Sequence, residues 1–252
     1  MAITIKSPRE IALMREAGIR LAEVHERLSE IVRPGISTLE ITEFGEEWIL
    51  KLGGIPNFKN YQGYPAAVCV SVNEEVVHGI PKKDRIIKEG DLVSLDTGLI
   101  YDGYHSDAAR SYIAGVGSEE KKRLIEATKQ SFYEGIKQAR AGNHLHDIST
   151  AIGDFLEERG YGVVRDLTGH GIGKKLHEDP AIPNFRQRKR GVRLEAGMTL
   201  AIEPMVNLGS FEVDFSQEDG WTVTTRDKRP SAHYENTILI TGDEPEILTE
   251  RS

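Results

Sequence analysis

Five residues of this chain have the types and setting for metal chemistry: Asp96, Asp107, His170, Glu203 and Glu235. Four are carboxylates and one is an imidazole. Each lies in a stretch that reads as a β-strand or a glycine-rich turn. Burying an ionised carboxylate without a partner costs on the order of several kcal/mol. Something cationic therefore belongs among them. Oxygen-rich ligation with one imidazole suits a pair of divalent ions, whose chemistry is the activation of water and the polarisation of a carbonyl. A lone Asp or Glu is more often a surface acid. Four acids in apolar strand contexts are hard to explain as a solvated face.

The elements that must position them can be read in part. Leu92-Val93-Ser94-Leu95-Asp96 reads as a strand, and Asp102-Gly103 is a hairpin signal. With those two as the loop, Tyr101 faces Tyr104 and Asp107 falls opposite Gly98. Asp96 and Asp107 then share a face as diagonal neighbours, roughly 7–8 Å apart along the backbone. The glycine opposite Asp107 is expected to leave room for an ion. In the second half, Met198 to Pro204 reads as a strand carrying Glu203. His233 to Ile240 reads as another carrying Glu235, with Thr237 on one face and Ile238 and Ile240 on the other. His170 lies in TGHGIG, where glycines let the backbone approach a ligand closely.

Two helices precede the first strand pair. Ser7, Pro8 and Glu10 form a capping box with proline at the first helical position, and Ile11, Met14, Gly18, Leu21 and Leu28 recur at helical spacing to about Val32. A second helix is expected from near Thr38 to Leu52, stopped by Gly53-Gly54. The pattern then recurs at an offset of 107: Arg33, Gly35, Ile41, Trp48 and Gly53 match Arg140, Gly142, Ile148, Phe155 and Gly160. Gly90 to Asp96 matches Gly197 to Glu203 at the same offset. Two related halves follow, roughly 1–115 and 120–252, fused into a single catalytic domain because no linker-like stretch divides them.

Bulk properties narrow the class. A hydrophobic content of 38% supports a sizeable core, and a net charge of −8 argues against a general DNA or RNA binder. Cys69 is the only cysteine, so no intrachain disulfide forms and a reducing cytoplasm is expected. The start, MAITIKSPREIALMREAG, has no signal-peptide pattern, and no apolar run is long enough to span a membrane.

Taken with their order and spacing, these segments resemble the type I methionine aminopeptidases of the short bacterial kind. The resemblance covers nearly the whole chain. It rests on VNEEVVHGIP at His78, SLDTG and HSDAAR at Asp96 and Asp107, and TGHGIG and LHEDP at His170 and His177. It continues through IEPMV at Glu203, DGWTV at Trp221 and SAHYENT at Glu235. It implies an α+β, pita-bread fold: a pseudo-two-fold pair of halves with antiparallel sheet and flanking helices. It also implies two divalent metal ions (Co, Mn, Fe or Zn), with Asp96 on one, Asp107 and Glu235 bridging, and His170 and Glu203 completing the second site. The activity implied is removal of the initiator methionine, with a metal-bridging water as nucleophile. Glu203 would also shuttle its proton. His177 would donate to the developing oxyanion, and His78 would contact the scissile amide nitrogen.

The resemblance further implies an apolar slot for a thioether, with Tyr61, Tyr64, Cys69, Leu176 and Trp221 as walls. Core packing is the rival reading of each. A cramped second subsite would favour a small residue after methionine. Two positions depart from the family pattern: Leu176 stands where some relatives carry an aromatic, and His233 stands where glutamine is usual. A monovalent cation near Asn73 and Ser231 is also implied, as is a monomer acting on nascent chains. The run Arg186-Gln187-Arg188-Lys189-Arg190 is either a solvated loop or a contact to the ribosome surface. Two other readings stand beside this one: a proline-directed peptidase on the same fold, and a non-catalytic binding protein. Proline-directed relatives generally carry an additional N-terminal domain, and binding proteins of this fold typically lose ligands.

Overall fold

The computed structural model describes residues 3–251. Helix α1 (Pro8–Ile31) starts as its sequence requires: the Ser7 hydroxyl accepts from the Glu10 N–H, and the Glu10 carboxylate reaches back to the Ser7 N–H. Met14, Ala17, Leu21, Val24 and Leu28 form its buried stripe. Gly18 belongs to that stripe because a Cβ there would lie 2.1 Å from the Leu248 carbonyl oxygen. Helix α2 (Thr38–Lys51) carries a second capping box, Ser37 with Glu40. Helices α3 (Glu119–Ile136) and α4 (Leu145–Glu157) pack together in the later part of the chain.

The two regions match in detail. Gly35 and Gly142 both have φ above +90°, and each N–H donates to a carbonyl 52 residues on, Ile87 and Leu194. Ser37 bridges Ile86 as His144 bridges Arg193. Gly90 and Gly197, each just before a sheet strand, also share a left-handed backbone that L side chains rarely adopt. One apolar cluster joins α1 and α2 to Val68, Val70, Val93 and Leu95. Another joins α3 and α4 to Leu200, Ile202 and Ile238.

A nine-stranded sheet ties these layers together. Its central part runs in the order Leu92–Tyr101, Tyr104–Ile113, Glu235–Leu239, Thr199–Ile202, Gly169–Gly171, with Val68–Val72 also paired to Leu92–Tyr101. All these pairs are antiparallel. The Asp102-Gly103 turn has the expected register: Tyr101 pairs with Tyr104, and Gly98 with Asp107. Both turn residues have positive φ (46° and 81°), the pattern of a type I′ hairpin.

Three expectations change. The strand before Glu203 ends at Ile202, so the glutamate sits just past it. The stretch from His233 to Ile240 is two strands, Ser231–His233 and Glu235–Leu239, because Tyr234 turns the chain from a small sheet into the large one. His170 lies on a short strand rather than in a turn. The reason Gly98 is a glycine also differs. A Cβ there would meet the Asn57 amide at 2.6 Å and the Ser106 carbonyl at 2.4 Å, so the space opposite Asp107 is filled by Asn57.

Candidate metal centre

The sheet register brings the acids to one face. Cys69 pairs with Asp96, Asp96 with Ala109, and Ala109 with Glu235. Directly opposed residues project to the same side, so these four form a row across four strands. One step along the chain, Asn236 pairs with Ile202, which sets Glu203 beside Glu235. Two residues along, Thr237, Ala201 and His170 form a parallel row. Asp107 projects from the same face, two residues before Ala109. The Thr237 hydroxyl accepts from the Asp107 N–H at 3.0 Å and donates to the Asp107 carbonyl at 2.9 Å, where the ladder between the two strands has ended. Ala109 and Ala201 are the small residues among the ligand-bearing positions. Neither was legible as a site residue, because an alanine in a strand carries no chemical signal of its own.

All five sequence-selected residues therefore line one recess. His170 Nε2 lies 3.7 Å from Asp107 Oδ2 and 3.6 Å from Glu203 Oε1. Donor atoms of Asp107, His170 and Glu235 all lie within 4.8 Å of one another, as do those of Glu203, His233 and Glu235. His170 Nδ1 lies 2.9 Å from the Gly171 carbonyl, which can only accept. The proton therefore sits on Nδ1, leaving the Nε2 lone pair toward the acids.

The electrostatics call for a cation. Burial raises the Asp96 carboxyl to about 7 and the Glu203 carboxyl to about 8. Burial and then the neighbouring acids push Asp107 and Glu235 well above the usual range. Among the described residues, Asp96 Oδ1, Asp107 Oδ1 and Glu235 Oε1 are buried without a hydrogen-bond partner. Buried acceptors that lack donors and face each other are the donor set a hard or borderline divalent ion requires, so the residues present fit such a group.

His233 is closer to this centre than expected. Its Nε2 lies 3.6 Å from Glu203 Oε2 and 3.9 Å from Glu235 Oε2, and the ring is 1% exposed. Burial lowers its pKa, so it is a neutral imidazole packed against two acids.

The whole recess is about 240 Å³, and beyond the four acids and His170 it is lined by Phe58, Tyr61, Gln62, Tyr64, Cys69, His78, Leu176, His177 and Trp221. Every pocket residue expected from the sequence is there; Phe58 and Gln62 are additions that no motif signalled. Tyr64 and Trp221 meet edge to face at 5.2 Å, and His78 meets Trp221 likewise at 6.1 Å. Trp221 is held by Asp219, whose Oδ1 accepts the Trp221 and Thr222 N–H groups. Burial pushes the Cys69 thiol well up, so it stays neutral. His78 has φ of 58° and a pKa lowered by burial to about 4, and burial lowers His177 as well.

The features outside the recess also have their places. Asn73 accepts the Ser231 N–H at its carbonyl, and its Oδ1 accepts from the Lys121 ammonium at 2.8 Å. In the basic run, Arg186 pairs with Asp154 and Arg190 with Asp147. No helix among the described residues is long and apolar enough to cross a membrane.

A layered α+β fold with a sheet-borne cluster of acids defines a hydrolytic metalloenzyme class, and comparison with known proteins makes it specific. A family description for metallopeptidase family M24 matches residues 12–242. The chain belongs to metallopeptidase family M24, and its fold is the pita-bread fold of that family. It is 49% identical over 247 residues to a methionine aminopeptidase of Clostridium acetobutylicum, covering 98% of each chain. It is 48% identical to methionine aminopeptidase 1 of Bacillus subtilis, covering 98% of this chain and 99% of that one. The crystal structure of a Thermotoga maritima methionine aminopeptidase superposes with a TM-score of 0.96 at 45% identity, covering 99% of this chain and all of the other. Prolidase from Pyrococcus furiosus shares the fold at a TM-score of 0.79 and 23% identity, and this chain covers 66% of it.

Proposed function

We propose that this protein hydrolyses the N-terminal methionine from nascent proteins and peptides, with preference for a small second residue. The observation that carries the reading is an apolar, aromatic-walled recess opening directly on the row of buried acids. The names of its relatives support it.

In this reading Asp96, Asp107, His170, Glu203 and Glu235 would hold two divalent ions. The chemistry such ions would supply there is Lewis-acid polarisation of a carbonyl and a lowered pKa for water. The protein's own groups do the rest. Tyr64, Cys69, Leu176 and Trp221 enclose the thioether side chain. Glu203 takes and returns the proton of the attacking water; its side chain is 14% exposed, against 5% for Asp107 and 2% for Glu235. His78 and His177, both lowered in pKa by burial, are neutral at pH 7 and both line the recess. His177 donates to the developing oxyanion, and His78 serves the scissile nitrogen.

Incubating metal-stripped protein with a Met-Ala-Ser peptide and a proline-containing competitor, before and after adding Co²⁺, Mn²⁺, Fe²⁺ or Zn²⁺, tests this. Metal-dependent release of methionine alone is expected. No release under any metal would falsify it, and cleavage at the proline site would favour the proline-directed alternative.

Further parts of the reading are separable. The chain acts as one catalytic domain of two related halves, 1–115 and 120–252, supported by the matching turns at Gly35 and Gly142. It works as a monomer in the cytoplasm, which sedimentation and fractionation test. A monovalent cation near Asn73 and Ser231 meets a competitor there, the Lys121 ammonium; thermal melting unchanged when K⁺ is replaced by a bulky organic cation removes it. Contact with the ribosome surface falls mainly to Arg188 and Lys189, whose neighbours are paired. Cosedimentation that survives replacing all four basic residues with serine sinks that contact.

A further inference from the structure

The Tyr61 hydroxyl lies 2.8 Å from His177 Nδ1. The two rings sit 5.3 Å apart, and the His177 ring also meets the His170 ring at 4.2 Å. The imidazole thus touches two rings and is hydrogen-bonded at one nitrogen. A phenol is a better donor than acceptor, and a neutral imidazole nitrogen is a strong acceptor. The bond therefore runs from Tyr61 O–H to the Nδ1 lone pair, and the ring's own proton must reside on Nε2.

The backbone that presents Tyr61 is unusual. Asn60 and Gln62, the residues on either side of it, have φ of 68° and 48°, and Gly63 has φ of 91°. Left-handed geometry at a non-glycine residue is sterically costly and persists only where the surroundings enforce it. Here two tight turns hold it: Tyr61 N–H donates to the Phe58 carbonyl, and Tyr64 N–H donates to the Tyr61 carbonyl across the left-handed pair Gln62 and Gly63. Two left-handed residues flanking one tyrosine mark a segment shaped to place that side chain.

We propose that Tyr61 is a positioning residue for His177, fixing the Nε2–H tautomer so that the imidazole donates a hydrogen bond into the recess. Its ring serves as a pocket wall, and its hydroxyl sets the donor opposite it. The role in the reaction rests on the proposed aminopeptidase activity; the tautomer does not.

The test is Tyr61→Phe, which keeps the ring and removes the hydroxyl, made in zinc-loaded protein labelled with ¹⁵N-histidine. The His177 signals are assigned by their loss in His177→Gln. In the parent protein the imidazole spectrum should show His177 protonated on Nε2, and in Tyr61→Phe a mixture of tautomers. With a Met-Ala-Ser peptide, kcat should fall about tenfold or more while KM stays within about twofold, the signature of a lost transition-state donor. An Nδ1-protonated His177 in the parent overturns the proposal. So does an unchanged tautomer, or an unchanged kcat, in the variant. If the parent releases no methionine under any metal, the activity reading fails on its own, and the spectra still decide the tautomer.

Discussion

Asp96 and Glu235 are separated on the sheet by a single residue, Ala109, which pairs with both of them. The space between two proposed ligands is thus the space above one methyl group. Ala109→Leu should fill it. We expect lost metal stoichiometry and methionine release reduced at least about hundredfold, since displacements near 1 Å cost that much at a reacting centre. Overpacking should cost about 1–3 kcal/mol of stability, leaving a folded protein. Metal analysis and urea titration of the same sample check this; full metal content in the variant contradicts the row geometry.

Asp107 and His78 should separate by phenotype. Asp107 is 4% exposed with a partnerless Oδ1, so Asp107→Ala should lose metal and activity together. His78 touches Trp221 and belongs to neither donor cluster. His78→Ala should keep metal and lose about 10²–10⁴ in rate. Metal lost from the His78 variant would place that imidazole among the ligands instead.

Metal uptake should depend on pH. In the metal-free protein the Asp96 carboxyl stands at about 7 and Glu203 at about 8, because burial disfavours their charged forms. A ligand must be deprotonated, so binding displaces protons, and affinity climbs as pH rises through this window. Calorimetry in two buffers of different ionisation enthalpy reads the proton release directly. Affinity that is flat from about pH 6 to 8 contradicts the raised values.

His25 should shape stability on the acid side. Burial first, then the charge of Arg110, lowers its pKa to about 3, and its Nε2–H donates to the Ala108 carbonyl at 2.8 Å. Unfolded, it takes a proton near pH 6.5; folded, it refuses one until about 3. Between those values the unfolded state binds more protons, so stability falls as pH falls. His25→Gln keeps a donor and removes the titration. Its slope of unfolding free energy against pH near 5 should drop by up to about 1.4 kcal/mol per pH unit relative to the parent. Identical slopes for the two proteins would sink the assignment.

The sequence by itself determined what is local or repeated. A capping box marked the start of the first helix, because a serine and a glutamate three residues on satisfy each other's backbone groups. Asp102-Gly103 set the hairpin register, and with it Asp96 and Asp107, because only residues tolerant of positive φ close so tight a turn. Five ligand-type residues stood out because acids in apolar strands need a reason. The tertiary structure decided what depends on partners distant in the chain. Pairing Ala109 with Glu235 joins residues more than a hundred positions apart, and no local preference encodes that register. The same holds for Asn57 filling the space beside Gly98, and for His233 lying against two acids. Tyr61 read as a wall from its ring alone; only the fold brought its hydroxyl to His177, because a hydrogen bond is set by where two side chains meet.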